Sequence, residues 1–364
     1  MASSQDFLST PLCELLGIGY PIIQAPMAGG WTTPDLVSSV CEAGGFGVLA
    51  GARVSPEKLR DDIRAVKAWT DRPFGVNFLI APPIEGNEDV ASVQSFLDHF
   101  RERLDLPEGE TDITLPPSPL QEQLEIVFEE RVPLLSVAMG DPGDLVERAH
   151  DEGMLISAMV TKVEEAVRVD ERGVDVVVAQ GAEAGGHSST FEVGPDREAP
   201  LVGTMALVPP VVDAVDVPVV AAGGIADGRG LVAALALGAS GVQLGTRFLV
   251  ARESGAHRAY REHLLRAVET DTVVTNVFTG RPARGLRNRL AEEYLRDGPE
   301  PLGWPLHAVA AGDIYSASRD EDEGDYSLLL AGQGLGLLRE EQGAAEIVEQ
   351  LVREAGSTMS RLAG

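Results

Sequence analysis

Short apolar, β-branched runs bounded by glycine or proline recur along the first two thirds of the chain, separated by amphipathic stretches of helical length. Eight runs read as strands, over 22–26, 46–50, 74–80, 133–138, 154–158, 174–179, 217–222 and 241–245. VDVVVAQ and VPVVAAGG are apolar almost without interruption, which is the pattern of parallel strands covered on both faces. The intervening spacing predicts helices over 36–43, 56–69, 119–130, 144–151, 163–172 and 228–237. Thr33-Pro34-Asp35 and Ser55-Pro56-Glu57 each offer a cap followed by proline at the first helical position. Strands alternating with helices predict a parallel α/β fold, and eight strands is the number that closes a TIM (β/α)8 barrel. An open doubly wound sheet is the competing architecture.

Two stretches break this rhythm. Residues 81–118 hold Pro82, Pro83, Pro107, Pro116 and Pro117 among many acids, the composition of an insertion. Beyond about residue 256 the strand alternation stops, and REHLLRAV, the Arg-rich RPARGLRNRL and EEQGAAEIVEQLVREA read as helices and loops. The expected organisation is a barrel over 1–255, with the insertion, and a mainly helical extension over 256–364 that packs on one barrel end and closes the site. The acidic run RDEDEGD at 319–325 reads as a solvated loop.

Composition narrows the function classes. Of 364 residues, 57 are acidic and 29 basic, a net charge of −28. Such a surface repels phosphate backbones and anionic lipid, which argues against nucleic-acid and membrane partners. No apolar run is long enough to cross a bilayer, and MASSQDFLSTPLCELLG lacks the features of a secretory leader, so a cytoplasmic location is expected. Cys13 and Cys41 make neither a disulfide framework nor a metal spacing, in keeping with a reducing compartment. Only Lys58, Lys67 and Lys162 are lysines. That bias fits either a salt-rich cytoplasm or a genome that encodes Arg for Lys.

In a barrel the reactive groups sit at the C-terminal ends of the strands. The first strand runs into Ala25-Pro26-Met27 and two glycines, the third contains Asn77, and the sixth runs into Gln180 and the loop GAEAGGH. Gly223-Gly224 follow the seventh strand and Gly245-Thr246 the eighth. Backbone N–H groups at these last two corners, with a helix behind each, suit a phosphate, and Thr246 adds a hydroxyl donor. His187 follows Gly185 and Gly186 at the mouth of strand six. With an ordinary pKa near 6.5 it can take a proton near neutrality or, once protonated, help hold an anion. Glu183 is a candidate acid partner or a structural hydrogen-bonding group. His99, His150, His257, His263 and His307 read as packed or surface histidines, and no metal-ligand cluster, Walker loop or GxSxG elbow is present.

Together, PIIQAPMAGGWTTPDLVSSVCEAGGFGVL, FGVNFLI, QGAEAGGH, VPVVAAGGIADGRGLVAALALGASGVQLGTRFLV and FTGRPARGLRNRL resemble the nitronate monooxygenase (2-nitropropane dioxygenase) family, over residues from about 21 to about 336. The resemblance implies an FMN-dependent TIM barrel that oxidises alkyl nitronates, such as propionate 3-nitronate, with O2 to a carbonyl compound and nitrite. It further implies that Ala25, Pro26 and Met27 line the flavin ring, while Asn77 and Gln180 hydrogen-bond the isoalloxazine or ribityl chain. Gly185 and Gly186 would let the flavin approach, and Gly223, Gly224, Gly245 and Thr246 would hold its phosphate. His187 matches the family's active-site histidine, and Gln333 is a candidate to reach the site from the C-terminal segment. The expected partners are a small-molecule nitronate and O2, with a homodimer as the candidate assembly. A nitronate is an anion, so the pocket is expected to be less negative than the surface. The competing readings are a flavin-dependent enoyl-acyl-carrier-protein reductase, an NAD(P)H:quinone reductase, and a non-catalytic phosphate- or nucleotide-binding barrel. One departure from the family pattern follows His187, where Ser188-Ser189-Thr190 replace the expected Arg-Gly or Ile-Gly.

Overall fold

A computed structural model describes residues 6–364, Pro195 excepted. In chain order its strands are β1 (Ile22–Gln24), β2 (Phe46–Ala50), β3 (Gly75–Leu79), β4 (Leu134–Ala138), β5 (Leu155–Val160) and β6 (Val176–Gln180). There follow β7 (Gly186–His187), β8 (Val219–Ala222), β9 (Gly241–Leu244), β10 (Thr272–Thr275) and β11 (Ala283–Leu286). Strands β1 to β6, β8 and β9 close a parallel barrel in which β9 returns to β1, with Ile22 opposite Val242 and Gln24 opposite Leu244. All eight strands expected from the sequence are present, and the barrel displaces the open sheet.

Alternation survives inside the uniformly apolar strands. Val176 and Val178 of β6 pack inside the barrel with Ile23, Val48 and Val220. Val177 and Ala179 face the helical layer, as expected for successive residues of a barrel strand. Leu12 and Leu16, on the helix Pro11–Leu16, join the interior cluster from the N-terminal end. Outside, Leu36, Val37 and Val40 of Pro34–Glu42 and Leu59, Ile63 and Val66 of Pro56–Trp69 seal the strands. Both caps form: Thr33 Oγ1 accepts from Leu36 N at 3.1 Å and Ser55 Oγ from Lys58 N at 3.2 Å.

Three features differ from the sequence reading. The crossover between β6 and β8 contains a helix, Thr204–Val212, which Pro209 and Pro210 within it disguised. The region beyond residue 256 contains the antiparallel strands β10 and β11, which join β7 in a three-stranded sheet. The 319–325 run is bound into the structure: Asp322 Oδ1 accepts from Ala259 N at 2.7 Å and lies 3.0 Å from His257 Nδ1.

Segments distant in sequence share a second core. Val93, Leu97, Phe100 and Leu104, on and beside the helix Val90–Arg103 of the insertion, pack with Phe278, Leu290, Tyr294, Ile314 and Tyr315. The last helix, Ala344–Leu362, instead buries Ile347, Val348 and Leu351 against the barrel's outer layer.

Candidate active site

Strand β6 ends at Gln180, and the chain turns within seven residues to run back as β7 along β11, pairing His187 with Ala283 and Gly186 with Arg284. Gly186 makes this turn at φ +84°, left-handed backbone that favours glycine. Gln180 clamps the turn from below. Its Nε2 donates to the His187 carbonyl at 3.0 Å and its Oε1 accepts from Ser189 N at 2.7 Å, which leaves one amide hydrogen for a ligand.

The Ser-Ser-Thr run after His187 has a structural role. Ser189 Oγ accepts from Met139 N at 2.8 Å and donates to the Met159 carbonyl at 3.1 Å, tying the loop to β4 and β5. Thr190 Oγ1 donates to buried Glu165 at 2.8 Å, and Glu165 also accepts from Phe191 N and Thr161 N. Arg281, wholly buried, donates through Nη2 to the Thr190 carbonyl. The imidazole therefore stands on a loop bolted to its surroundings from four directions.

His187 Nε2 lies 2.8 Å from Thr279 Oγ1, and the ring stands edge-on to Trp304 with centroids 5.1 Å apart. Burial pulls its pKa down to about 3, with the positive charges of Arg281 and Arg53 acting in the same direction. The imidazole is consequently neutral near pH 7. This removes the expectation that a protonated ring holds the anion and leaves the neutral ring as the proton-accepting form. Glu183 is not its acid partner. Both Glu183 oxygens accept from Thr204 N, at 3.1 and 2.8 Å, at the start of the helix Thr204–Val212, where a carboxylate offsets the positive helix end.

The glycine corners meet. Gly223 (φ +113°) and Gly224 (φ +71°) follow β8. A Cβ on Gly223 would come within 3.0 Å of Ala184 N, and one on Gly224 within 3.3 Å of the Glu183 side chain. Gly245 and Thr246 follow adjacent β9. The segment 331–335 closes over both corners: Gly332 N donates to Thr246 Oγ1 at 2.9 Å and Gln333 N to the Glu183 carbonyl at 2.9 Å. Gly185 is pressed against this segment, since a Cβ there would lie 2.5 Å from Gly332 N. The Thr246 hydroxyl accepts one bond and keeps its hydrogen to donate. The N–H groups of Gly224 and Thr246 have no acceptor among the described residues. Beside the Gly245 corner, Ala25 N donates to the Leu244 carbonyl at 2.9 Å, and Met27 N to Thr32 Oγ1 at 2.9 Å. Asn77, buried on β3, donates to Ser136 Oγ at 3.0 Å.

A cleft open to solvent lies beside the imidazole, lined by Gln180, Gly186, His187, Val274, Arg284 and Leu201. Arg284 is spent on neutral partners, the Ala182 carbonyl at 2.8 Å and Thr272 Oγ1 at 2.9 Å. Arg281 and Arg53 likewise have no carboxylate at ion-pair distance among the described residues, while most of the chain's other arginines do. Three guanidinium groups thus stand near one imidazole without a direct ion pair, while the carboxylates of Glu165 and Glu183 act on Arg281 and Arg284 from longer range. Sequence reasoning missed Arg53, Thr279, Arg281, Arg284 and Trp304. The arginine density of RPARGLRNRL in so acidic a chain was the available signal for two of them.

The comparisons with known proteins agree in kind. The family model described as nitronate monooxygenase matches residues 9–354. A probable nitronate monooxygenase of Staphylococcus saprophyticus is 37% identical over 97% of this chain and 99% of its own length. One of Staphylococcus aureus is 36% identical over 88% of this chain and 90% of its own length. Among solved structures, nitroalkane oxidase from Streptomyces ansochromogenes superposes with TM-score 0.89 at 34% identity, covering 96% of this chain and 99% of that one. FabK from Thermotoga maritima does so with TM-score 0.78 at 30% identity, covering 98% and 99%.

Proposed function

From the premise that this chain belongs to the nitronate monooxygenase family, an enzyme family, we propose that it oxidises alkyl nitronates with O2, using FMN, to a carbonyl compound and nitrite. The observation that carries the reading is the neutral His187 imidazole set among Arg53, Arg281 and Arg284 at the C-terminal end of a barrel strand. That environment attracts an anionic substrate and favours negative charge that develops on a neutral one.

The residues present fit the cofactor. Two glycine corners on adjacent strands carry N–H groups without acceptors and a threonine hydroxyl with a hydrogen to give, which is the donor set a phosphate monoester needs. Gly223, Gly224, Gly245 and Thr246 would hold that phosphate. Ala25, Pro26 and Met27 would line one side of the ring, Asn77 and Gln180 would offer amide hydrogens, and Gly185 and Gly186 would allow close approach. Gln333, anchored by its backbone to the Glu183 carbonyl, would border the phosphate end. Flavin supplies the electron acceptor that passes the electrons on to O2. His187 orients the nitronate and takes a proton when the substrate arrives as a neutral nitroalkane. The arginines hold the anion, and the segment 331–335 keeps water from the phosphate end.

A second reading, flavin-dependent enoyl-acyl-carrier-protein reductase or NAD(P)H:quinone reductase, draws on the likeness to FabK at 30% identity. Anaerobic mixing of the yellow holoenzyme with NADH separates the two. The flavin is expected to stay oxidised with NADH and to bleach with ethyl nitronate; rapid bleaching by NADH alone hands the site to the reductases. Acid release of FAD, or protein that takes up no flavin, would overturn the phosphate assignment.

A further inference from the structure

We propose that Thr279 is a positioning residue that sets the tautomer of His187, so that the ring presents a bare Nδ1 to the substrate as its proton acceptor. The proposal rests on the reading of His187 as the group that takes a proton from a neutral nitroalkane. Thr279 stands in the turn between β10 and β11, 1% exposed, and its hydroxyl is the one hydrogen-bonding partner of the imidazole among the described residues.

A hydroxyl has a single hydrogen, so its direction decides which ring nitrogen carries the proton. Thr279 Oγ1 is also within 3.4 Å of the Arg281 carbonyl, for which no other donor is recorded among the described residues. With the hydrogen turned to that carbonyl, the Oγ1 lone pair accepts from Nε2–H at 2.8 Å and both buried acceptors are satisfied. Nδ1 then carries only its lone pair. Nδ1 is not among the buried atoms left without a partner, and His187 lines the cleft, so this lone pair is open to a ligand. With the hydrogen turned the other way, the Arg281 carbonyl loses its donor and the ring shows the cleft an Nδ1–H, which cannot accept a proton. The first arrangement satisfies more groups.

The step balances. The α C–H bond of the nitroalkane breaks, its proton passes to Nδ1, and the electron pair becomes the C=N bond as the negative charge moves onto the nitro oxygens. Arg281 and Arg53, whose charges oppose an isolated imidazolium, then face an imidazolium paired with a nitronate, and their charges stabilise the anion.

Two substitutions and two substrates test the proposal in the holoenzyme. Thr279→Val, which keeps the shape and removes the hydroxyl, is expected to cut kcat/KM for neutral nitroethane about tenfold or more. Turnover of preformed ethyl nitronate should stay within about twofold, since no proton transfer is needed there. Thr279→Ser is expected to restore the nitroethane activity. The 15N spectrum of His187 should show a protonated Nε2 in the native enzyme at pH 7 and a tautomer mixture in Thr279→Val. Equal losses on both substrates, an unchanged nitroethane rate, or failure of Ser to rescue would each overturn the proposal. If the native enzyme oxidises neither substrate, the functional reading fails instead, and the 15N tautomer still decides the role of Thr279. If the Val variant does not fold, the native and Ser spectra decide it, a protonated Nδ1 overturning the proposal.

Discussion

The barrel interior packs Ile23, Phe46, Val48, Leu134, Val176, Val178 and Val220 with no ionisable group among them. The second core closes around Arg101, His307 and Tyr294, each at most 2% exposed. Arg101 donates to Asp313, Asp98, the Gln94 side chain and the Ala310 carbonyl, joining the insertion helix Val90–Arg103 to the helix Gly312–Asp320. His307 Nε2 lies 2.9 Å from the Val277 carbonyl, while its Nδ1 and the Tyr294 hydroxyl have no partner among the described residues. The polar groups inside the barrel, among them Ser136, Ser157 and Gln243, are all neutral, whereas the second core is tied together by the directed bonds of a buried arginine. His187 is carried by a barrel loop and paired to a strand of the outer sheet.

That difference predicts separable stabilities. Leu135→Ala, at a fully buried barrel position, is expected to cost about 2–5 kcal/mol through lost contact and the cavity left behind. Arg101→Ala removes the donor for two buried acceptors, the Gln94 side chain and the Ala310 carbonyl, and for two part-exposed carboxylates, and is expected to cost about 3 kcal/mol. The two should differ in what they unfold. In urea, Leu135→Ala should lower the far-ultraviolet transition and the loss of activity together, whereas Arg101→Ala should move the loss of activity to lower urea than the barrel transition. Coincident transitions in both variants would mean that the two cores unfold as one unit.

The same contrast explains what could be read from the chain. VDVVVAQ and VPVVAAGG announce strands because burial on both faces leaves their centres, 176–179 and 219–222, without a polar residue to confuse the period. Strand β11 reads Ala283-Arg284-Gly285-Leu286 and so shows no such run, because Arg284 faces the cleft. The second core was hidden for another reason: its halves, around Leu97 and Ile314, are separated by the barrel itself, and no local pattern links them. The glycine corners and His187 were legible because close backbone approach and a lone imidazole each leave a mark at a known strand end. Thr279, acting through another group, leaves none, and Arg281 shows only as one of several arginines in RPARGLRNRL.

Acid should strain the second core before it strains the barrel interior. Burial lowers the pKa of His307 to about 4 and that of His187 to about 3, against 6.5 for an exposed ring. Between about pH 4 and 6.5 the unfolded chain therefore binds protons that the native protein excludes, so stability is lost as the pH falls through this window. Each ring contributes a slope of up to about 1.4 kcal/mol per pH unit. His307→Gln, whose amide can still donate to the Val277 carbonyl, should remove about half of the slope these two rings supply. Urea midpoints taken from pH 7 down to pH 4.5 provide the check, and an unchanged slope would mean that His307 titrates as an exposed residue.

The smallest effect expected is on the outside of the barrel, where an ion cluster resembles the Arg101 network in connectivity but not in burial. Glu130 meets Arg64 at 2.8 Å, Lys67 at 3.2 Å and Arg60 at 3.5 Å. Those cations all reach water, from 30% exposure at Arg60 to 61% at Arg64, against 2% for Arg101. Water competes for each charge and salt screens the remainder, so Arg64→Gln is expected to cost about 0.5 kcal/mol or less at low ionic strength and to approach zero in 1 M salt. Arg101→Ala should keep most of its cost in the same salt, because its loss is measured in unsatisfied buried acceptors and not in Coulomb attraction. A urea midpoint for Arg64→Gln that falls as far as that for Arg101→Ala, or that stays low in salt, would show that connectivity and not burial decides the strength of these networks.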